Sequence, residues 1–207
     1  MPSPRTIRPK QTIFYQGEAA SAVYRIDRGL VRAYVIHDNG DESTIAFFGP
    51  EDIFPVTAAF SIAPVTLFYY ETVTDMTAHT YNDNEFQAFI ASNAADELQR
   101  FATRYVGALL HVSALTQQTA SLKLAHTLRY LAIRFGEKLV IGSRIKIAVK
   151  LTQHDLASLS NLSRETVSIE LGVLKKHEVI TVKEKYYFVH LGKLNAFVNE
   201  EATPISL

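Results

Sequence analysis

The 207-residue chain contains no cysteine. That absence excludes disulfides, thiolate nucleophiles, cysteine-ligated zinc and the usual iron–sulfur clusters, and it argues against oxidative secretion. Nor does any run approach the roughly 18 uninterrupted apolar residues of a membrane span. The opening Met1-Pro2-Ser3-Pro4-Arg5 lacks the apolar stretch of a signal peptide, so a cytoplasmic protein with no membrane partner is expected. Net charge is missing too, 21 Lys and Arg balancing 21 Asp and Glu, so no global field advertises a polyanionic partner. Catalytic signatures are absent: there is no phosphate-binding glycine loop, no H-E-x-x-H spacing and no G-x-S-x-G, and no enzyme is expected. What is present, 47% hydrophobic and 20% charged residues, is the composition of a folded chain. Its length suits two small domains.

Punctuation is uneven. Prolines disappear between Pro64 and Pro204, while Gly17, Gly29, Gly40 and Gly49 break the front of the chain at short intervals. Between those glycines lie runs rich in β-branched and aromatic residues: Thr12 to Tyr15, Ala22 to Ile26, Leu30 to Ile36 and Ser43 to Phe48. Asp38-Asn39-Gly40-Asp41 reads as a hairpin turn, and Leu67 to Tyr70 with Met76 to Ala78 extend the pattern. Short strands at even spacing predict a sandwich or barrel.

The period then changes. From about Asn84 the apolar spacing is helical, and Leu98, Phe101, Tyr105, Ala108, Val112, Leu115, Thr119 and Leu122 alternate steps of three and four. A helix this long leaves its apolar stripe wet in a monomer, so the seam predicts pairing with a second copy. A helix packed on its own β domain is the alternative. A further helix, Leu122 to Phe135, is expected to end at Gly136 as a C′ glycine.

Charge is distributed by region. Residues 1–136 hold 11 basic and 13 acidic residues, whereas 138–193 hold 10 basic against 5 acidic. Within the basic part, Leu151 to Ile180 divides into two short helices. Thr152 with Asp155 forms a capping box for the first, and Ser163 is an N-cap for the second. Leu156 and Leu159 would meet Val167, Leu171 and Leu174 across Ser160-Asn161-Leu162, which is helix-turn-helix grammar. At 100° per residue the opposite face carries Glu165, Ser168, Ile169, Gly172 and Lys176, with Arg164 at its edge. Arginine suits guanine, glutamate the cytosine amino group, serine either, and isoleucine a thymine methyl. Two strands, Val179 to Val182 and Tyr186 to Val189, flank Lys183-Glu184-Lys185 as a basic wing that would rest on phosphates.

These parts in this order resemble the CRP/FNR superfamily of bacterial transcription regulators. The resemblance is carried by Q-G-E-x-A-x-x-V-Y-R-I-D-R-G-L-V-R at 16–32 and L-T-Q-H-D-L-A-S-L-S-N-L-S-R-E-T-V at 151–167. It implies an α+β protein: a jelly-roll-like β-roll sensor over 1–92, a dimerisation helix over 93–120 and a winged helix-turn-helix over 121–207. It further implies a homodimer on an inverted repeat of double-stranded DNA, with RNA polymerase as a partner. Arg164 and Glu165 fall at base-reading positions, joined by Ser168 and Ile169 on the same face. Thr152, Gln153, Ser163 and Thr166 fall at phosphate-contact positions, with Lys176, Lys183 and Lys185 assigned to the same task by charge. The family commonly has arginine where this chain has Ile169.

The sensor departs further. Family members that bind cyclic AMP carry a Gly-Glu pair and an Arg-Ser or Arg-Thr pair, where this chain reads Phe54-Pro55-Val56 and Val65-Thr66-Leu67-Phe68. No arginine lies between Arg32 and Arg100 and no lysine between Lys10 and Lys123, so a cyclic phosphate would lose its charge-assisted bonds. No cofactor is expected. Haem would have to use His37, His79, His111 or His126, and a small apolar effector a pocket lined by Phe54, Phe60, Phe68 and Tyr70. The competing class is a ligand-sensing module whose winged helix binds protein instead of DNA.

Overall fold

The computed structural model describes residues 4–138 and 144–198, and the chain divides into two compact units, Met1–Gln99 and Arg100–Leu207. The first unit contains β1 (Arg5–Ile7), β2 (Thr12–Phe14), β3 (Val23–Arg28), β4 (Val31–Ile36), β5 (Glu42–Phe48), β6 (Ile53–Phe54), the short helix α1 (Val56–Ala59), β7 (Tyr69–Thr72) and β8 (Met76–Tyr81). They form two antiparallel sheets, β1-β8-β3-β6 and β2-β7-β4-β5. Alternation dictates which side each strand buries: Met76 and Ala78 point inward on β8 while Thr77 and His79 stay half-exposed. The β4–β5 hairpin closes at Asp38-Asn39-Gly40-Asp41, where the Asp41 N–H donates to Asn39 Oδ1 at 3.0 Å and Gly40 takes φ +84°. At Gly29, φ +104°, a Cβ would lie 2.3 Å from the Asp75 carbonyl oxygen, so side chains are excluded from the β3–β4 turn.

Aromatic rings fill the space between the sheets. Phe54 is fully buried, stacked between Tyr24 at 5.4 Å and Tyr70 at 5.5 Å, with Phe48 at 5.9 Å and Phe14 against both tyrosines. Phe68 packs on the rim of this cluster. Phe60 lies in a different one, its ring 5.7 Å from Phe86. The four residues expected to line one effector pocket are therefore divided: Phe54 and Tyr70 are core, Phe68 covers it, and Phe60 belongs elsewhere.

Helix α2 (Asp83–Leu115) opens on a reciprocal cap, the Glu85 N–H donating to Asn82 Oδ1 and the Asn82 N–H to Glu85 Oε2. It kinks at Asn93, whose dihedrals (−129°, 19°) are non-helical and whose amide donates to the Phe89 carbonyl at 2.8 Å. The long helix expected over 93–120 therefore starts at the Asn93 kink, with a shorter helix leading into it, and stops at Leu115. Thr116 and Gln117 end it by donating side-chain hydrogen bonds to the Ser113 carbonyl at 2.9 and 3.0 Å. Thr119 is not a seam residue; it is the N-cap of α3 (Ala120–Phe135), accepting from the Leu122 N–H at 3.2 Å.

The rest of the second unit comprises α3, β9 (Gly136–Lys138), β10 (Arg144–Ile147), α4 (Gln153–Ser160), α5 (Arg164–Lys176), β11 (Ile180–Lys183), β12 (Tyr186–His190) and α6 (Leu191–Val198). α3 is its spine, packing against α4, α5 and α6 and burying Leu124, Leu128 and Leu131. The strands form one antiparallel sheet, β11-β12-β10-β9. α3 ends where expected, yet Gly136 is extended (φ −82°, ψ 132°), not left-handed. Glycine is required there because a Cβ would meet the Ala132 carbonyl oxygen at 2.0 Å and Ile145 Cγ2 at 2.5 Å.

Candidate nucleic-acid interface

The head is built from two capped helices. Thr152 Oγ1 accepts from the Asp155 N–H at 3.2 Å, and Asp155 Oδ2 accepts from the Thr152 N–H at 2.7 Å, so both ends of the capping box are closed at α4. The Asp155 carboxylate is thus occupied in the cap. Asn161 turns the chain in the left-handed region (φ 52°, ψ 49°), a conformation that asparagine tolerates better than most side chains. Ser163 Oγ then accepts from the Thr166 N–H at 3.0 Å and opens α5.

Orientation follows from burial. Leu156 and Leu159 of α4 and Val167, Leu171 and Leu174 of α5 are buried. That fixes the outward face of α5 as Arg164, Glu165, Ser168, Ile169, Gly172 and Lys176, all exposed. Arg164 Nε lies 3.7 Å from Glu165 Oε1. A backbone hydrogen bond, then Arg164 and the Ser163 hydroxyl, hold the Glu165 carboxyl below its ordinary value, so it stands ionised as an acceptor.

The wing is a tight hairpin. Lys183 pairs with Tyr186, and Glu184 and Lys185 both have positive φ, 53° and 67°, the geometry of a type I′ turn. Lys183 thus belongs to β11, and the loop is two residues, not the three expected from composition. The Leu151 N–H donates to the Lys185 carbonyl at 3.2 Å, tying the wing tip to the residue before the Thr152 cap. Two lysines that the sequence reading did not include join this corner: Lys146 Nζ lies 4.5 Å and Lys150 Nζ 5.3 Å from the Tyr186 ring centre. Their signal was the charge of the module; the strand that delivers Lys146 was not recognisable.

Outside the head, α2 presents a second surface. The expected seam residues Leu98, Phe101, Tyr105, Ala108, Val112 and Leu115 are all exposed, Leu98 at 69% and Val112 at 58%. Val106 and Leu109, not in the expected set, widen the stripe. The other side of the helix is closed: Ala114 is buried, His111 stacks 5.0 Å from Tyr130 of α3, and Arg134 lies across Gly107, where a Cβ would meet its Cδ at 2.6 Å.

A β-roll, a long helix with an unpartnered apolar stripe and a winged helix-turn-helix define a DNA-binding regulator of the sensor-and-head class. Residues 4–93 match the family model of the cyclic nucleotide-binding domain, and 122–197 match that of the Crp-like helix-turn-helix domain. The chain belongs to the CRP/FNR superfamily of transcription regulators. The CRP-like cAMP-activated global transcriptional regulator of Mycobacterium tuberculosis is 28% identical over 164 residues, 78% of this chain and 72% of that protein. The cyclic AMP receptor protein of Thermus thermophilus is 28% identical over 179 residues, 81% of this chain and 74% of that protein. FixK2 from Bradyrhizobium japonicum shares the fold, with a TM-score of 0.76 at 21% identity over 98% of this chain and all 100% of that one. No helix among the described residues is long and apolar enough to cross a membrane.

Proposed function

We propose that two copies of the chain pair through the α2 stripe and read an inverted repeat in duplex DNA, each head placing α5 in a major groove. The exposed apolar heptad from Leu98 to Leu115 carries this reading, because nothing within the chain covers it among the described residues. Pairing sets the two α5 helices about 34 Å apart, one turn of DNA, and the symmetry of the protein demands a symmetric site. In this reading Arg164, Glu165, Ser168 and Ile169 face base edges. Thr152, Gln153, Ser163, Thr166, Lys176, Lys183 and Lys185 face phosphates, supported by Lys146 and Lys150. The bound dimer then presents its outer surface to RNA polymerase. The protein performs no catalysis.

The β-roll is not a cyclic AMP receptor in this proposal. Phe54, at the start of the replaced cassette, is locked in the aromatic core, and Thr66, at its end, is buried and donates to the Tyr15 carbonyl at 2.5 Å. Neither offers a cation to a phosphate. Three of the four candidate haem ligands have other neighbours, His37 pairing with Ser43 at 2.9 Å, His79 with Asp27 at 3.3 Å and His111 with the Tyr130 ring, while the fourth, His126, lies half-buried beside Arg129.

Selection of bound fragments from random DNA, followed by titration of the selected duplex at several salt concentrations, tests the main reading. The expected result is an inverted repeat whose affinity falls steeply with salt, by a slope of about 0.9 per neutralised phosphate. Asymmetric or salt-independent binding would overturn it. Calorimetry should detect no cyclic AMP binding at cellular nucleotide concentrations; tight binding there refutes the sensor reading.

A further inference from the structure

We propose that Ile169 and Gly172 make each head a reader of the pyrimidine 5-methyl group, so that one position per half-site is specified by thymine or, equally, by 5-methylcytosine. The inference rests on the DNA-reading assignment above and adds the chemistry of one contact.

Two features of α5 have no cause inside the chain. Ile169 is a β-branched apolar residue left 66% exposed on a face otherwise made of Arg164, Glu165 and Ser168. It contributes nothing to the core and is a poorer helix former than the straight-chain residues such a site usually carries. Gly172, three residues on and therefore beside it on the same face, sits in the helix interior, where alanine is favoured. A Cβ there would meet nothing within 4 Å, and its φ is not positive. Neither packing nor backbone geometry calls for glycine at 172 or for an exposed apolar group at 169.

Close approach by an outside surface explains both. In the major groove every base pair presents hydrogen-bonding groups, and the one apolar feature is the methyl on C5 of thymine. An isoleucine set against any other edge would strip water from donors and acceptors without replacing it. Removal of the side chain at 172 lets the helix settle deep enough for the Ile169 branch to reach the methyl. Cytosine lacks that methyl; 5-methylcytosine supplies it at the same place, so methylation of a C·G pair at this position raises affinity.

The test uses the full-length protein and its selected duplex, with each thymine replaced in turn by deoxyuridine and binding followed by fluorescence anisotropy. One position per half-site should weaken binding about fourfold, the value of one buried methyl, and about fifteenfold when both half-sites are changed. Cytosine at that position should bind more weakly than 5-methylcytosine by a similar factor. Ile169→Ala should bind the thymine and deoxyuridine sites equally, and Gly172→Ala should weaken the thymine site selectively. A selected site with no deoxyuridine-sensitive position, or a penalty that persists in Ile169→Ala, overturns the proposal while leaving the DNA reading intact. Failure to retain any duplex sinks both.

Discussion

His111 offers the most quantitative test of the second unit. It lies on the closed side of α2, 6% exposed, and neither ring nitrogen has a hydrogen-bond partner among the described residues. Burial in this apolar site pulls its pKa from 6.5 down to about 4, since the charged ring cannot be solvated there. Above pH 6.5 the ring is neutral whether the chain is folded or unfolded, and pH has no effect through this group. Between 6.5 and 4 the unfolded chain binds the proton and the folded one does not, so stability falls as pH falls. Below 4 both are protonated and the loss is complete. At about 1.4 kcal/mol per pH unit, the interval amounts to about 3 kcal/mol. The perturbation is His111→Leu, which keeps an apolar body against Tyr130 and removes the titrating group. Urea unfolding at fixed protein concentration, followed by circular dichroism from pH 7.5 to 4, should show wild type losing about 3 kcal/mol relative to the variant. At pH 7.5 the variant should already be more stable, because two buried unpartnered nitrogens are gone. Parallel pH profiles for the two proteins would falsify the buried, neutral histidine.

Three further expectations concern binding. Arg164→Ala should weaken the selected site by about 1–3 kcal/mol and relax sequence choice at one position per half-site; a uniform loss over all sequences would make Arg164 a phosphate contact. The double variant Lys183→Ala and Lys185→Ala should weaken all duplexes and reduce the salt slope with base preference unchanged, and an altered preference in a fresh selection would overturn the wing assignment. Val112→Glu places a charge where the monomer is already open to water and the dimer is not. It should sediment as a monomer and lose at least about a hundredfold in site affinity; a stable dimer would remove α2 as the interface.

The parts legible in the sequence were those with a repeated signal or a local chemical cause. The heptad survived in α2 because the surface it marks is still uncovered, and Thr152, Asp155 and Ser163 were readable as caps because capping depends on residues three apart. Elements of two to four residues, such as Ile53–Phe54 and Arg144–Ile147, are too short to show a period. Identity also misleads where one residue serves two purposes. Thr119 fitted the heptad spacing and is a cap; Gly136 fitted a left-handed stop and answers a steric contact. Phe54 and Tyr70 looked alike as pocket or core because inward-facing rings alternate identically in both, and their stacking became visible when the second sheet closed over them.

The way α3 meets β9 has a mechanical corollary. Phe135 is followed by the first strand residue with no loop between, and the Ala148 N–H donating to the Phe135 carbonyl at 2.7 Å staples the joint. Helix and sheet therefore share a joint with no slack to absorb a shift of α3, which passes directly to β9 and β10.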